Sequence, residues 1–162
     1  MKKAIYPGTF DPITNGHIDI LKRSLKIFDE VTLLIAEHYS KETLFTPEER
    51  KELIEITLKD IKNVKVEIWM GLIAEYVNTH DIDAVIRGMR AISDFEYEFQ
   101  MGMMNRRLSP NIEIIYFFPD EKYIFLSSGV LKEIAYFDGD ISEFVPKEVA
   151  ARLKRTLKKH SK

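Results

Sequence analysis

The sequence predicts a doubly wound α/β fold: a five-stranded parallel sheet with helices on both faces. Three observations predict it. Short apolar runs alternate with helical periodicities along the chain; the run at 31–36 is continuous, as a strand covered on both faces must be; and Gly, Pro or a capping residue marks the breaks. With 162 residues, 45% of them hydrophobic and 31% charged, the chain is expected to be one domain, 1–162, with a core of its own. It contains no internal repeat, low-complexity tract or linker.

Each element has a local cause. Lys3-Ala4-Ile5-Tyr6 reads as a short buried strand ended by Pro7-Gly8, because Pro lacks a ladder donor and Gly permits unusual backbone angles. Thr14 or Asn15 caps a helix whose apolar positions Ile18, Leu21, Leu25 and Phe28 recur at helical spacing. Val31 to Ala36 is the second strand, followed by a polar loop carrying Lys41. Thr46-Pro47-Glu48-Glu49 opens the next helix with an N-cap, a proline at the first helical position and a capping-box glutamate; Leu53, Ile54, Thr57, Leu58 and Ile61 form its inner face. Val64, Val66 and Ile68 alternate with Lys65, Glu67 and Trp69, the pattern of a strand near a sheet edge. Gly71 precedes a helix bearing Leu72, Ile73, Tyr76 and Val77. The fourth strand, Ala84-Val85-Ile86, runs into Arg87-Gly88-Met89-Arg90, and Asp94 caps a long helix to about Leu108. Ile112 to Phe118, closed by Pro119, is the fifth strand; Ser127 or Ser128 caps a helix with Val130, Leu131 and Ile134; Pro146 starts a last helix through Val149, Leu153 and Leu157.

Charge and composition narrow the function. Lys and Arg number 24 against 26 Asp and Glu, so a net charge of −2 offers no whole-protein attraction for nucleic acid or an anionic membrane. Anion binding must therefore be local. Cysteine is absent, which excludes disulfides and thiolate chemistry. No apolar run is long enough to span a membrane and no signal peptide is recognisable, so a cytoplasmic location is expected.

In a doubly wound sheet, ligands bind beyond the carboxyl ends of the strands where strand order reverses. Gly8-Thr9 follows strand one, Lys41 strand two, Arg87 and Arg90 strand four, and Ser127-Ser128 strand five. These loops make a local anion site. In the stretch Tyr6 to His17, YPGTFDPITNGH, His17 falls in the first turn of a helix, where unpaired N–H groups and the dipole attract phosphate. Each residue also has a plainer use: Arg87 and Arg90 could pair with Asp94, Glu96 or Glu98, and the serines are good caps whatever else they do. Neither a G-x-x-x-x-G-K-[ST] loop nor a G-x-G-x-x-G fingerprint is present.

Thr14-Asn15-Gly16-His17 resembles the [HT]-x-G-H signature of the nucleotidyltransferase superfamily, and Ser127-Ser128-Gly129 its serine-rich second motif. YPGTFDPITNGHIDI, LFTPEER, IRGMRAISDFEYEFQ and SSGVLKE together resemble the bacterial phosphopantetheine adenylyltransferase family, in order and spacing over nearly the whole chain. The resemblance implies a Rossmann-like enzyme of coenzyme A biosynthesis that moves adenylyl from ATP to 4′-phosphopantetheine, giving dephospho-coenzyme A and pyrophosphate. By similarity, Thr9, Phe10, His17, Gly88, Met89, Arg90, Glu98 and Tyr123, Ile124, Phe125, Leu126, Ser127, Ser128 and Gly129 would contact ATP. Thr9, Lys41, Ile73 and Arg87 would hold phosphopantetheine. His17, with Lys41 and Arg90, would stabilise the transferring phosphate. The resemblance further implies magnesium (Mg2+) carried on ATP rather than by a carboxylate cluster, a homohexamer, and coenzyme A as a feedback ligand.

One position departs from the family pattern: Gly129 stands where a third serine is common, removing one hydroxyl donor while keeping a backbone N–H. Two other functions compete. A transferase of the same superfamily acting on nicotinamide mononucleotide or a cytidylyl donor would share Thr14 to His17, and a non-catalytic nucleotide-binding module would share the loops. The block IRGMRAISDFEYEFQ favours phosphopantetheine.

Overall fold

The computed structural model describes residues 1–36, 42–90 and 92–160, with the side chains of all of these except 92–94 and 159–160. Five parallel strands form one sheet in the order β3-β2-β1-β4-β5, with β1 Lys3–Gly8, β2 Glu30–Ala36, β3 Val64–Trp69, β4 Ala84–Gly88 and β5 Glu113–Phe117. The order reverses between β1 and β4, and β3 lies at an edge, as its alternating pattern requires. Among the described residues six α-helices connect the strands or close the chain: α1 Asn15–Ser24, α2 Pro47–Leu58, α3 Ile73–Thr79, α4 Ile92–Leu108, α5 Ser128–Tyr136 and α6 Lys147–His160.

Because side chains alternate along a strand, the sheet builds two cores. On one face Ala4, Tyr6, Val31, Leu33, Ile35, Ala84 and Ile86 pack against α1, α2, α5 and α6 through Leu21, Ile54, Leu131, Val149 and Leu153. On the other, Ile5, Leu34 and Val85 meet Tyr76 and Val77 of α3 and Ile112. The first core is much the larger.

Strand ends differ from the sequence reading in an instructive way. β1 does not stop before Pro7 but continues to Gly8, paired with β2 along its whole length from Lys3↔Glu30 to Gly8↔Ile35. With β4 it shares only Ala4↔Ala84 and Ile5↔Val85. The Pro7 carbonyl accepts from Arg87 Nη1 at 3.2 Å, so Pro7 faces β4, and its missing N–H takes nothing from the β1–β2 ladder. The sheet therefore opens between β1 and β4 beyond Ile5. β4 likewise runs on through Arg87 to Gly88, while β5 is two residues shorter than expected and α4 begins at Ile92 rather than after Asp94.

Candidate active site

The opening between β1 and β4 widens into a cleft of about 790 Å³ at the carboxyl ends of the strands. Its floor and one wall are the loop after β1. Phe10 takes a left-handed backbone (φ 49°) that bulky residues rarely adopt, and its ring is 2% exposed. The ring lies over Gly8 so closely that a β-carbon there would sit 2.9 Å from it, which is why residue 8 carries no side chain. Tyr6 meets the Phe10 ring edge-on at 5.5 Å, and the His17 ring meets it at 5.1 Å.

His17 is set by a capping box in which histidine replaces the usual glutamate. Thr14 is the N-cap of α1: its Oγ1 accepts from the His17 N–H at 3.4 Å, and its own N–H donates to His17 Nδ1 at 3.0 Å. A backbone N–H can only donate, so Nδ1 is the unprotonated nitrogen and Nε2 carries the hydrogen. Burial, reinforced by the charge of Arg90, lowers the His17 pKa to about 4. At neutral pH the ring is therefore an uncharged donor through Nε2–H, with its lone pair already engaged. That geometry suits stabilisation of an anion and not proton abstraction. Gly16, beside it, lies close against Tyr123, 3.2 Å from where a β-carbon would stand.

The opposite wall comes from β4 and α4. Glu98 grips Arg87 through both oxygens, Nε–Oε2 at 2.7 Å and Nη2–Oε1 at 2.5 Å. Glu98 is 8% exposed, and this ion pair is the plainer use the sequence allowed for Arg87. The hydrogen bonds and charge of Glu98 raise the Arg87 pKa against the pull of burial, so the guanidinium stays charged. Tyr116 hydroxyl donates to the Glu98 carbonyl at 3.0 Å, tying β5 to α4. Gly88 lets α1 approach: a β-carbon would stand 2.8 Å from Ile20 Cδ1. Arg90 Nη1 donates to the Leu126 carbonyl at 2.9 Å and so joins this wall to the segment before α5.

At the mouth, Ser127 is the N-cap of α5, its Oγ accepting from Val130 N–H at 3.1 Å, and Ser128 Oγ donates to the Pro12 carbonyl at 3.3 Å. The Ser128 hydroxyl thus ties α5 to the loop after β1 and the Ser127 hydroxyl caps α5 itself, and both residues line the cleft at the N-terminus of that helix, where backbone N–H groups lack helical partners. Gly129 is exposed, with only Ser127 Oγ, at 3.7 Å, near its missing β-carbon, so nothing steric demands glycine there.

Of the residues singled out in the sequence, Thr9, Phe10, His17, Gly88, Arg90 and Glu98 line this cleft. So do Tyr123, Leu126, Ser127, Ser128, Gly129, Ile73 and Arg87. Met89, Ile124 and Phe125 do not: Met89 is buried with its N–H on the Phe117 carbonyl, and Phe125 is 93% exposed. Lys41 falls outside the described residues.

Sequence reasoning did not assign a loop-shaping role to three charged residues, Asp11, Arg50 and Lys132. Asp11, its side chain 4% exposed, accepts from Leu44 N–H and Phe45 N–H, each at 2.9 Å, and from Lys132 Nζ at 2.6 Å. It joins the loop after β1, the segment before α2, and α5. Arg50, 1% exposed, donates from Nη1 to the Thr9 carbonyl at 2.8 Å. The one available signal for Lys132 was its place four residues after Ser128, on the same face of a helix that starts at the cleft. Among the described residues, no group of three or more His, Asp or Glu side chains is placed to hold a metal ion, and both Asp11 oxygens are occupied.

The comparisons agree with this architecture. The model of the cytidylyltransferase-like family matches residues 5–134. A phosphopantetheine adenylyltransferase of Dictyoglomus thermophilum is 51% identical over 94% of this chain and 93% of its own length. Those of Thermodesulfovibrio yellowstonii and Thermotoga neapolitana are 48% and 44% identical, covering 98% and 96% of this chain and 99% and 96% of their own. In fold, the chain resembles a bifunctional NMN adenylyltransferase/ADP ribose pyrophosphatase from Francisella tularensis, with a TM-score of 0.70 at 13% identity over 97% of this chain. The chain spans about half the length of that structure, 50%. Full-length identity near one half, together with the cleft at the β1/β4 reversal, places the chain in the phosphopantetheine adenylyltransferase family of nucleotidyltransferases.

Proposed function

We propose that this chain transfers the adenylyl group of ATP to 4′-phosphopantetheine, releasing pyrophosphate and forming dephospho-coenzyme A. The observation that carries the reading is His17: a neutral imidazole, locked by Thr14 into the Nε2–H tautomer, at the N-terminus of α1 inside the cleft. The attacking phosphomonoester has a second pKa of about 6, so near neutral pH it is already largely dianionic and needs no base. What the site must supply is alignment and charge stabilisation. In-line attack spreads negative charge over the equatorial oxygens of the α-phosphate, and fixed donors lower that barrier without reorganising. His17 Nε2–H, Arg90 and the amides at the starts of α1 and α5 are the donors assigned to ATP, with Thr9, Phe10, Gly88 and Tyr123 shaping its seat. Thr9, Ile73 and Arg87 are assigned to phosphopantetheine, with Lys41 joining from the loop after β2.

Magnesium fits as a partner of the nucleotide, neutralising phosphate charge when bound and held by phosphate oxygens and water. Cytoplasmic location, feedback by coenzyme A, and a homohexamer belong to the same reading. The assembly is supported by α4, which leaves Phe95, Phe99, Met103 and Met104 each more than half exposed.

Pyrophosphate release from ATP, magnesium and 4′-phosphopantetheine is the test, run beside nicotinamide mononucleotide as the competing acceptor. His17→Ala should lower kcat by roughly 10²–10³, as loss of one transition-state donor does, with little change in ATP affinity by calorimetry. Faster turnover with the other acceptor, or equal losses in kcat and affinity, would overturn the assignment.

A further inference from the structure

Arg50 has no evident reason to be where it is. It lies in the first turn and a half of α2, where the positive end of the helix dipole disfavours a cation, and it is the largest of the fully buried side chains. Among the described residues it makes no ion pair; its polar contacts are Nη1 to the Thr9 carbonyl at 2.8 Å and Nε to the Thr46 carbonyl at 3.4 Å. A buried charge without a carboxylate is costly to stability, so its use must be sought in what it holds.

What it holds is one peptide group. The Thr9–Phe10 bond is trans, so its carbonyl and its N–H point in opposite directions. Arg50 is not among the residues lining the cleft, whereas Thr9 and Phe10 are. Fixing the Thr9 carbonyl on the guanidinium therefore turns the Phe10 N–H to the side away from Arg50. That N–H meets no acceptor among the described residues, although Phe10 is 2% exposed; buried unpaired amides are rare unless a ligand completes them. Phe10 also sits at φ 49°, a conformation that needs external support, and its ring backs His17.

We propose that Arg50 is a positioning residue of the transfer site: by holding the Thr9 carbonyl from behind, it aims the Phe10 amide at the phosphates of the nucleotide and keeps Phe10 behind His17. The inference rests on the transfer reaction proposed above.

Two variants and one spectroscopic measurement test it. Arg50→Met keeps the bulk and loses the donor; Arg50→Lys keeps one donor within reach of the same carbonyl. Chains labelled with ¹⁵N-phenylalanine report the Phe10 amide directly. In the parent chain, ATP should shift that amide strongly; in folded Arg50→Met the shift should shrink and kcat fall by about 100-fold, as for a reacting geometry displaced by an ångström, with KM for ATP changing much less. Arg50→Lys should recover most of the loss. A folded Arg50→Met with kcat within about threefold of the parent would overturn the proposal, as would a loss confined to the unfolding temperature. Should Arg50→Met fail to fold, a parent Phe10 amide indifferent to ATP would overturn it, as would an Arg50→Lys kcat equal to the parent's with that amide moved. A parent that binds ATP at Phe10 yet makes no pyrophosphate with phosphopantetheine would instead sink the reaction and leave the amide response to decide the role of Arg50.

Discussion

The two walls of the cleft are built on different terms. The wall formed by the loop after β1, α1, α2 and α5 is completed within the chain: Asp11 gathers three segments, Arg50 holds Thr9, Ser128 holds Pro12, and Asn15 N–H donates to the Phe144 carbonyl at 2.8 Å. Behind it lies the larger core. The wall formed by β4, α4 and β5 is tied, among the described residues, by the Arg87–Glu98 pair and the Tyr116 hydroxyl on the Glu98 carbonyl, with a thin core behind it; on its outer side α4 exposes Phe95, Phe99, Met103 and Met104. The proposed transition-state donor His17 thus stands on the self-sufficient wall, while the other wall carries an apolar outer face that the proposed assembly would cover.

Breaking the self-sufficient wall at its hub has the largest expected effect on stability. Asp11→Ala strips acceptors from two backbone N–H groups and leaves the Lys132 ammonium without its carboxylate. Lys132 is 26% exposed in its side chain and can turn to water, so a loss of about 3 kcal/mol is expected, at the low end for a broken buried pair. Urea unfolding measures it, and pyrophosphate release should fall as well, because the loop after β1 loses its ties to the segment before α2 and to α5. A loss under about 1 kcal/mol, the range of an exposed pair, would mean that the wall does not depend on this hub.

The other wall should answer in the opposite way. Met104→Glu places a charge on a side chain that is 54% exposed in the single chain, so the stability of that chain should move by no more than about 0.5 kcal/mol. Burying the charge between the subunits of the proposed assembly would be prohibitive, so sedimentation should show that assembly falling to smaller species. An unchanged oligomer would place the subunit contact elsewhere and remove the contrast between the walls.

How much of this was legible in the sequence follows the reach of each interaction. The Thr46 capping box acts over three residues and was legible in the chain as written; for the first helix the sequence left Thr14 or Asn15 as the cap, because a histidine in the glutamate's place hid the second capping box. The continuous strand at 31–36 and the edge pattern at 64–69 are equally local. Asp11 was opaque because its partners lie 33, 34 and 121 residues away, and Arg50 because Thr9 lies 41 away. Pro7 misled for a related reason: whether a proline ends a strand depends on which neighbour its face turns to, and that is settled only when β4 arrives, some 80 residues later.

The smallest effect sharpens the comparison at the mouth of the cleft, where α5 of the complete wall is proposed to meet the nucleotide. If Gly129 were required by packing, a side chain there would disturb the start of α5; but among the described residues the contact its absent β-carbon would meet is Ser127 Oγ, at ordinary contact distance, 3.7 Å. Gly129→Ser should therefore fold normally, and stability should rise slightly, since serine restricts the unfolded chain more than glycine does, by about 0.4–1 kcal/mol at most. The added hydroxyl lies one residue into the helix, at a position that lines the cleft, so it offers ATP one further donor. A gain of a few-fold in ATP affinity is expected, about 1 kcal/mol for one net hydrogen bond, with kcat unchanged because the bond forms equally in ground and transition states. A serine that lowers affinity would show that the amide at 129, and not a hydroxyl, is what the phosphates need at this helix start.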